Sequence, residues 1–174
     1  MAAIRAPGLA GVVPIARRTQ PNPSFTVWQQ DLEYRTEHGP WFLDITNDVR
    51  EAVAASGVCW GQVTVYSQHT TAAIRLQEHE PLLIEDLKDM LRRVAPPEHY
   101  YRHNDFDIRT VNMHADEPKN GHSHCQHLLL STSETIPLLD GHLQLGAWQC
   151  IFLIELDGAR DRRVSVNVLG IPRS

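Results

Sequence analysis

The chain has 174 residues and a formal charge of −5, and hydrophobic residues make up 42% of it. This length suits a single domain whose core needs no disulfide bridges, and the acidic balance argues against a nucleic-acid partner held by a basic surface. No apolar run is long enough to cross a membrane, so no membrane partner is expected. The three cysteines form no paired motif, which predicts free thiols and a reducing, cytoplasmic location.

Residues 1–23 differ from the rest of the chain because prolines and glycines recur in them without a periodic pattern. These residues interrupt the apolar centre that a signal peptide requires. We therefore expect residues 1–23 to be a flexible extension and residues 24–174 to form one domain.

From residue 24 onward the hydrophobic pattern predicts strands that are interrupted by two main helices. In chain order, the predicted elements are a strand or a bent pair over 24–35, a strand over 41–43, a helix ending at Gly57, strands over 58–66 and 72–76, a helix over 80–94, a short helix or strand over 124–130, and strands over 135–138, 143–145, 148–156 and 163–169. This mixture indicates an α+β domain.

Capping and turn residues set the ends of these elements. Asp44 or Thr46 can cap the first helix, and Pro81 suits the first turn of the second. Asp157-Gly158 is typical of a tight turn, so the last two strands are expected to form an antiparallel hairpin.

Three polar segments carry the candidate functional residues, and the first interrupts the strand pattern after residue 66. It reads Ser67-Gln68-His69-Thr70-Thr71, which presents a histidine beside two hydroxyl groups. The two threonines, with nearby backbone N–H groups, would suit a phosphate oxygen. The alternative is a bulge or a surface kink without a ligand.

The second and third segments lie in a long polar stretch after the second predicted helix. Residues 98–105 combine aromatic, imidazole, guanidinium and carboxylate groups, with Asp107 and Arg109 close behind. They fit either the wall of a substrate pocket or a solvated loop. Residues 120–127 carry three histidines, a density typical of metal ligands, although a fortuitous surface patch would look the same.

Histidines from three separate segments can meet at one centre only through the fold, and a three-histidine site leaves a coordination position open for catalytic zinc. Two carboxylates outside these segments are also of interest. Glu155 ends a strand that otherwise reads as buried, so it requires a partner. Arg162 or Arg163 could pair with it across the predicted hairpin, and a structural and a catalytic role stay equally open. Asp86 is either a solvated charge or a functional group.

Short motifs along the chain match one family pattern. They are Gln68-His69-Thr70-Thr71-Ala72, Leu76-Gln77-Glu78, Asp86, residues 100–103, residues 120–124, Thr135-Ile136-Pro137, Gly141, residues 145–149, Glu155 and Arg162-Arg163. In this order and spacing they resemble the YjbQ-like family, long described as uncharacterised and often labelled secondary thiamine-phosphate synthase. The resemblance covers about residues 25–170.

The resemblance implies a compact α+β fold with two packed, mostly antiparallel β-layers and two main helices. It also implies a homotrimer with its sites near the subunit boundaries. It further implies a divalent metal, above all zinc, held by His69, His103 and His124, with His122 and His127 incidental.

The function that the resemblance implies is a metal-dependent transferase reaction on a phosphorylated small molecule, with thiamine-phosphate synthesis as the named activity. The residues assigned to it are Glu78 or Asp86 for proton transfer, Arg109, Thr70 and Thr71 for the phosphate, and Asn120 for the substrate. Two alternatives stay open. One is a metal-dependent phosphate-ester hydrolase, and the other is a non-catalytic, trimeric metal- or metabolite-binding protein.

Overall fold

A computed structural model describes residues 24–173 of the chain. The predicted flexible extension over residues 1–23 lies outside the described residues. Within the described range, none of the helices combines the length and apolarity that a membrane crossing needs.

Strands dominate the described residues, as the sequence predicts. The elements are β1 (Thr26–Arg35), β2 (Trp41–Asp44), α1 (Thr46–Ser56), β3 (Val58–Ser67), β4 (Ala72–Gln77), α2 (Pro81–Val94), a short 3₁₀ helix (Arg102–Asn104), α3 (Gly121–Leu128), β5 (Ser133–Leu139), β6 (His142–Leu143), β7 (Cys150–Glu155) and β8 (Asp161–Pro172). The segment over 124–130, left open between helix and strand, is therefore helical as far as Leu128, and the helix begins earlier than expected, at Gly121.

The strands form two antiparallel sheets that pack face to face. The larger sheet has the order β1-β8-β3-β5-β6, and the smaller has the order β2-β7-β4. Buried side chains from both sheets and from α1 form one core cluster between them, including Val65, Val166 and Ile151. The alternation of apolar and polar residues in β3 places one face of the large sheet on this core.

The smaller sheet is buried on both faces. Ala72, Ala73 and Ile74 of β4 are each 0% exposed, and α2 packs against the outer face of the sheet. A strand covered on both sides needs apolar residues at consecutive positions, which explains the continuous apolar run of β7. The fold is thus the expected α+β domain with two packed antiparallel layers.

Local signals place the ends of the two main helices within one residue of the prediction. The N-cap residue of α1 is Ile45 rather than the predicted Asp44 or Thr46, although Asp44 Oδ1 accepts a hydrogen bond from Thr46 N at 2.9 Å. The helix stops at Gly57 as predicted, where φ is +68°. At the start of α2, the Glu80 carboxylate accepts hydrogen bonds from the backbone N–H groups of the first turn, and Pro81 is the first helical residue.

The predicted hairpin at Asp157-Gly158 is wrong. β7 belongs to the small sheet and β8 to the large one, so the chain changes layer between them, as it also does between β3 and β4. The two crossing segments, residues 68–71 and 156–160, lie side by side, since Thr71 O accepts a hydrogen bond from Leu156 N at 3.1 Å. Turn residues indicate that the chain reverses its direction locally, but they do not indicate which strands then pair with each other.

Candidate functional site

A cavity of about 900 Å³ opens where the two crossing segments meet the polar stretch before α3. It brings together most of the site residues predicted from sequence. These are His69, Thr70 and Thr71 of the first crossing, together with His103, Arg109, Asn120 and His124. Segments far apart in the chain therefore converge, as the histidine pattern requires.

Glu78 and Asp86 are not among the residues that line this cavity. Glu78 follows the opposite end of β4 from His69, and Asp86 lies on α2, where it borders a separate depression with Arg92 and Arg93. Their assignment to proton transfer therefore stays a prediction, without support from the geometry of a single chain.

His103 and His124 are neighbours because the 3₁₀ helix is tied to the first turn of α3. Asn104 Oδ1 accepts a hydrogen bond from Gly121 N at 2.8 Å. A Cβ on Gly121 would lie 2.6 Å from Tyr101 Cβ, so only glycine permits this approach. The centroids of the two imidazole rings are 4.6 Å apart.

This histidine pair fits a divalent cation. His103 Nε2 is buried and finds no hydrogen-bond partner within residues 24–173, although a buried ring nitrogen normally has one. Burial, and then the neighbouring His103, lower the pKa of His124, so its ring is neutral near pH 7 and offers a lone pair. Neutral imidazoles are the usual nitrogen ligands of zinc.

His69 faces the same cavity with a different hydrogen-bonding role. Its Nε2 accepts a hydrogen bond from Arg163 N at 2.8 Å. Burial, and then the positive charge of Arg162, lower the pKa of His69, so the ring is neutral. A neutral imidazole has one lone pair, so His69 carries its proton on Nδ1 and has no free lone pair for a metal.

The three predicted ligands accordingly do not form a tight set. Across the described residues, the group of three ligand atoms within 4.8 Å of one another is Asp44, His79 and Cys150, which lies elsewhere in the fold. The cavity thus fits a metal at His103 and His124, while His69 in this arrangement can donate a hydrogen bond from Nδ1.

The partner of Glu155 is Arg162, and the pair is buried, with side chains 0% and 4% exposed. Glu155 Oε2 also accepts a hydrogen bond from Thr36 Oγ1 at 2.7 Å, and Arg162 donates to Thr71 Oγ1 at 3.0 Å. The backbone N–H groups of residues 156 and 157 also donate to Glu155, so the ion pair braces both crossing segments behind the cavity. The hydroxyl of Thr71 is occupied by its hydrogen bond from Arg162, whereas Thr70 is exposed in the cavity.

Arg109 holds the polar stretch together as well as lining the cavity. Its guanidinium forms an ion pair with Glu117 at 2.8 Å and donates to the backbone carbonyls of His103 and Asn112. Because these contacts engage the guanidinium, its part in binding a phosphate would be indirect.

Arg160 is a cavity residue that the sequence reasoning missed. It donates to Asp157 through Nε and Nη2, and its side chain is 37% exposed. Its position two residues after the turn Asp157-Gly158 could have indicated it, but the hairpin interpretation placed it on an ordinary loop.

Asn120 has a free acceptor at the cavity. Its Nδ2 donates to Asp157 Oδ2 at 2.8 Å, while its Oδ1 is buried and unpaired within the described part of the chain. A buried amide oxygen costs free energy unless something donates to it. A ligand N–H or O–H group would satisfy it, which agrees with the predicted role of Asn120 in substrate binding.

Fold and cavity together define a class of single-domain α+β protein, in which two antiparallel sheets enclose the core and histidines line a cavity where the chain crosses between them. The family model described as "UPF0047 protein YjbQ-like" matches residues 30–171. The chain belongs to this family.

Relatives in other organisms support the same assignment. A UPF0047 protein of Methanothermobacter thermautotrophicus is 38% identical over 146 residues, covering 84% of this chain and 94% of that protein. UPF0047 protein YugU of Bacillus subtilis is 30% identical over 142 residues, covering 80% and 97%.

Solved structures show the same fold. A YbjQ-like protein of unknown function from Sulfolobus solfataricus superposes with a TM-score of 0.76 at 32% identity, covering 84% of this chain and 99% of that one. An uncharacterised YjbQ/UPF0047 protein from Clostridium acetobutylicum gives a TM-score of 0.68 at 34% identity, covering 79% and 97%. The family and the fold predicted from sequence are thus confirmed.

Proposed function

We propose that the protein is a metal-dependent enzyme that acts on a phosphorylated small molecule in the cavity between the crossing segments. The observation that carries this proposal is the buried, unpaired Nε2 of His103 beside the ring of His124. These two histidines would hold a divalent ion, for which zinc is the first candidate. When bound, such an ion polarises a phosphate oxygen or a water molecule.

The remaining cavity residues bind and orient the substrate. His69 donates from Nδ1, Thr70 offers an exposed hydroxyl, and the Arg160 guanidinium supplies positive charge on the neighbouring crossing. Asn120 Oδ1 accepts from a substrate N–H or O–H group. Donors together with an acceptor suit a molecule with a phosphate and a polar ring.

The family resemblance names thiamine-phosphate synthesis as the activity to test first. In that transferase reaction a new C–N bond joins a pyrimidine to a thiazole phosphate, and pyrophosphate leaves from the pyrimidine. The protein supplies positioning of the two substrates and charge for the leaving group. Its free thiols fit the reducing interior of a cell, so we place the reaction in the cytoplasm.

We further propose that the chain works as a homotrimer. Large apolar side chains stand exposed on the single chain, among them Leu128 at 83% and Trp148 at 74%. Contact with a second copy would remove such surfaces from water. Sedimentation equilibrium tests this point, because a trimer has the mass of three chains, and the mass of one chain would refute it.

Metal content and turnover, measured on the same variants, test the proposed function. We expect His103→Ala and His124→Ala each to lower the zinc content by about one ion per chain and to abolish turnover. His69→Ala should retain the zinc and lose turnover. His142→Ala removes an exposed imidazole on β6 and should change neither quantity, which makes it the matched control.

The outcomes separate the competing functions. Formation of thiamine phosphate with release of pyrophosphate supports the transferase, whereas inorganic phosphate without a new C–N bond identifies a hydrolase. Full turnover after metal removal, or unchanged zinc in both His103→Ala and His124→Ala, would refute the metal-dependent mechanism. Loss of zinc from His69→Ala would show that His69 is a ligand and refute the donor role.

A further inference from the structure

A second cluster of metal-ligating side chains lies at one end of the small sheet. Asp44 is the last residue of β2, Cys150 is the first residue of β7, and His79 lies two residues beyond the end of β4. Their potential ligand atoms all lie within 4.8 Å of one another. The strand order β2-β7-β4 therefore brings one ligand from each strand to the same place.

Surrounding contacts hold these side chains in position. His79 Nδ1 lies 2.9 Å from Asp44 Oδ2, and the His79 ring meets Phe152 edge-to-face at 5.3 Å between centroids. The other oxygen of Asp44 accepts from Thr46 N, and Thr46 Oγ1 accepts from Ile151 N beside the cysteine. Contacts of this kind orient the ligands of metal sites.

This cluster is separate from the histidine cavity. His69 precedes the first residue of β4, whereas His79 follows its last, and the strand between them spans about 17 Å at the usual rise per residue. A metal ion or substrate bound at one end of β4 therefore cannot contact the residues at its other end.

We propose that Asp44, His79 and Cys150 form a zinc site. A thiolate, an imidazole and a carboxylate are the three side-chain types that zinc takes, and three protein ligands leave a fourth position for water. Binding exchanges the Cys150 thiol proton for the metal ion. Ligand atoms of a tetrahedral zinc site lie about 3.5 Å apart, so a side-chain movement of about 1 Å closes the site.

The zinc site would join the ends of the three strands to the start of α2, because His79 immediately precedes the Glu80 cap of that helix. The ion would thereby cross-link the whole small sheet at the point where its strands end. The site does not depend on the function proposed for the cavity.

Cobalt substitution tests this site selectively. Metal-free full-length protein is titrated with Co²⁺, and the thiolate-to-cobalt charge-transfer band in the near ultraviolet is recorded. Only a site with a cysteine ligand gives this band, so cobalt at His103 and His124 does not contribute to it. We expect the band in the wild type and in the matched control Cys125→Ser, and its absence in Cys150→Ser.

His79→Ala should weaken cobalt binding by at least the roughly tenfold that a lost supporting contact costs in metal sites. No band in the wild type, or a band that persists in Cys150→Ser, would overturn the proposal.

Thiol alkylation on the unmodified chain gives a second test that needs no variant. Peptide mapping after limited alkylation reports Cys150 and Cys125 in the same sample. Zinc should slow modification of Cys150 severalfold, because a thiolate bound to the metal is withdrawn from reaction. Cys125 adjoins His124, so its rate reports zinc at the cavity separately. Equal rates at Cys150 with and without zinc would refute the site, even if Cys150→Ser fails to fold.

Discussion

The buried ion pair between Glu155 and Arg162 predicts a large loss of stability when one partner is removed. Arg162→Met keeps most of the side-chain volume and deletes the charge. Glu155 then stays in a site where it is 0% exposed, retaining hydrogen bonds from Thr36 Oγ1 and from the backbone N–H groups of residues 156 and 157. Leaving one charge of a buried pair without its partner costs about 3–5 kcal/mol. Because these donors remain, we expect Arg162→Met to lower the free energy of unfolding by about 3 kcal/mol.

The neighbouring arginine supplies the matched control. Arg163 pairs with Glu33 at 2.9 Å, but the two side chains are 52% and 74% exposed. Because exposed pairs contribute less than about 1 kcal/mol, Arg163→Met should barely change the free energy of unfolding. The same substitution at adjacent positions of β8 should thus differ severalfold in its effect on the free energy of unfolding.

Urea denaturation followed by tryptophan fluorescence measures both variants, since the chain contains four tryptophans. The dependence of the free energy on urea should stay constant while the midpoint falls for Arg162→Met. The double variant Glu155→Leu/Arg162→Met should recover much of the loss, because no unpaired charge remains. A loss below about 1 kcal/mol for Arg162→Met, or equal losses for the two arginines, would refute the reasoning.

Two further predictions concern stability. Gly61→Ala should lower the free energy of unfolding by about 1–3 kcal/mol, because its Cβ would lie 2.0 Å from a backbone oxygen of β8, whereas Gly158→Ala meets nothing within 4 Å and should be neutral in thermal unfolding. Equal losses of stability in Gly61→Ala and Gly158→Ala would contradict this packing argument. Burial alone would raise the pKa of Asp157, but hydrogen bonds from Asn120 and Arg160 outweigh it and hold the pKa below its ordinary value. Asp157 therefore stabilises the fold above its unfolded pKa of about 3.9 and loses this contribution as the pH falls through the lower folded value. The stability difference between wild type and Asp157→Asn should shrink from pH 7 to acid pH in urea titrations, and a constant difference would contradict the assignment.

Elements with their own local signals were predictable from sequence. The stop of α1 at Gly57 follows from the left-handed backbone that glycine adopts easily, and the start of α2 follows from Pro81. The pairing of strands was not predictable in the same way. Asp157-Gly158 has the chemistry of a hairpin turn, yet the packing of two sheets decides that β7 and β8 separate.

The ion pair of the buried Glu155 could be predicted from the sequence only in part. A carboxylate at the end of an apolar strand requires a partner, so a nearby arginine was expected. Neighbouring residues of a strand point to opposite faces, so Arg162 and Arg163 could not both serve. Only the position of β8 across the sheet interface selects Arg162.

The candidate sites depend on the fold to different degrees. The cavity histidines were grouped through a family resemblance, and the structure brings them to one cavity. The hydrogen bond from Arg163 N to His69 depends on the crossing of the chain, so no motif could indicate it. Asp44, His79 and Cys150 have no motif spacing at all, because the order of three strands alone brings them together.

The two crossing segments, residues 68–71 and 156–160, explain why the cavity lies where it does. Each crossing leaves one sheet and enters the other, so its backbone cannot complete the ladder of either, and its side chains are free to face a ligand. The buried pair of Glu155 and Arg162 then fixes the first crossing through Thr71 and the second through the backbone N–H groups of residues 156 and 157. Loss of Arg162 should therefore release the first crossing, which carries His69, as well as destabilise the fold. Stability and the geometry of the site are coupled through this buried ion pair.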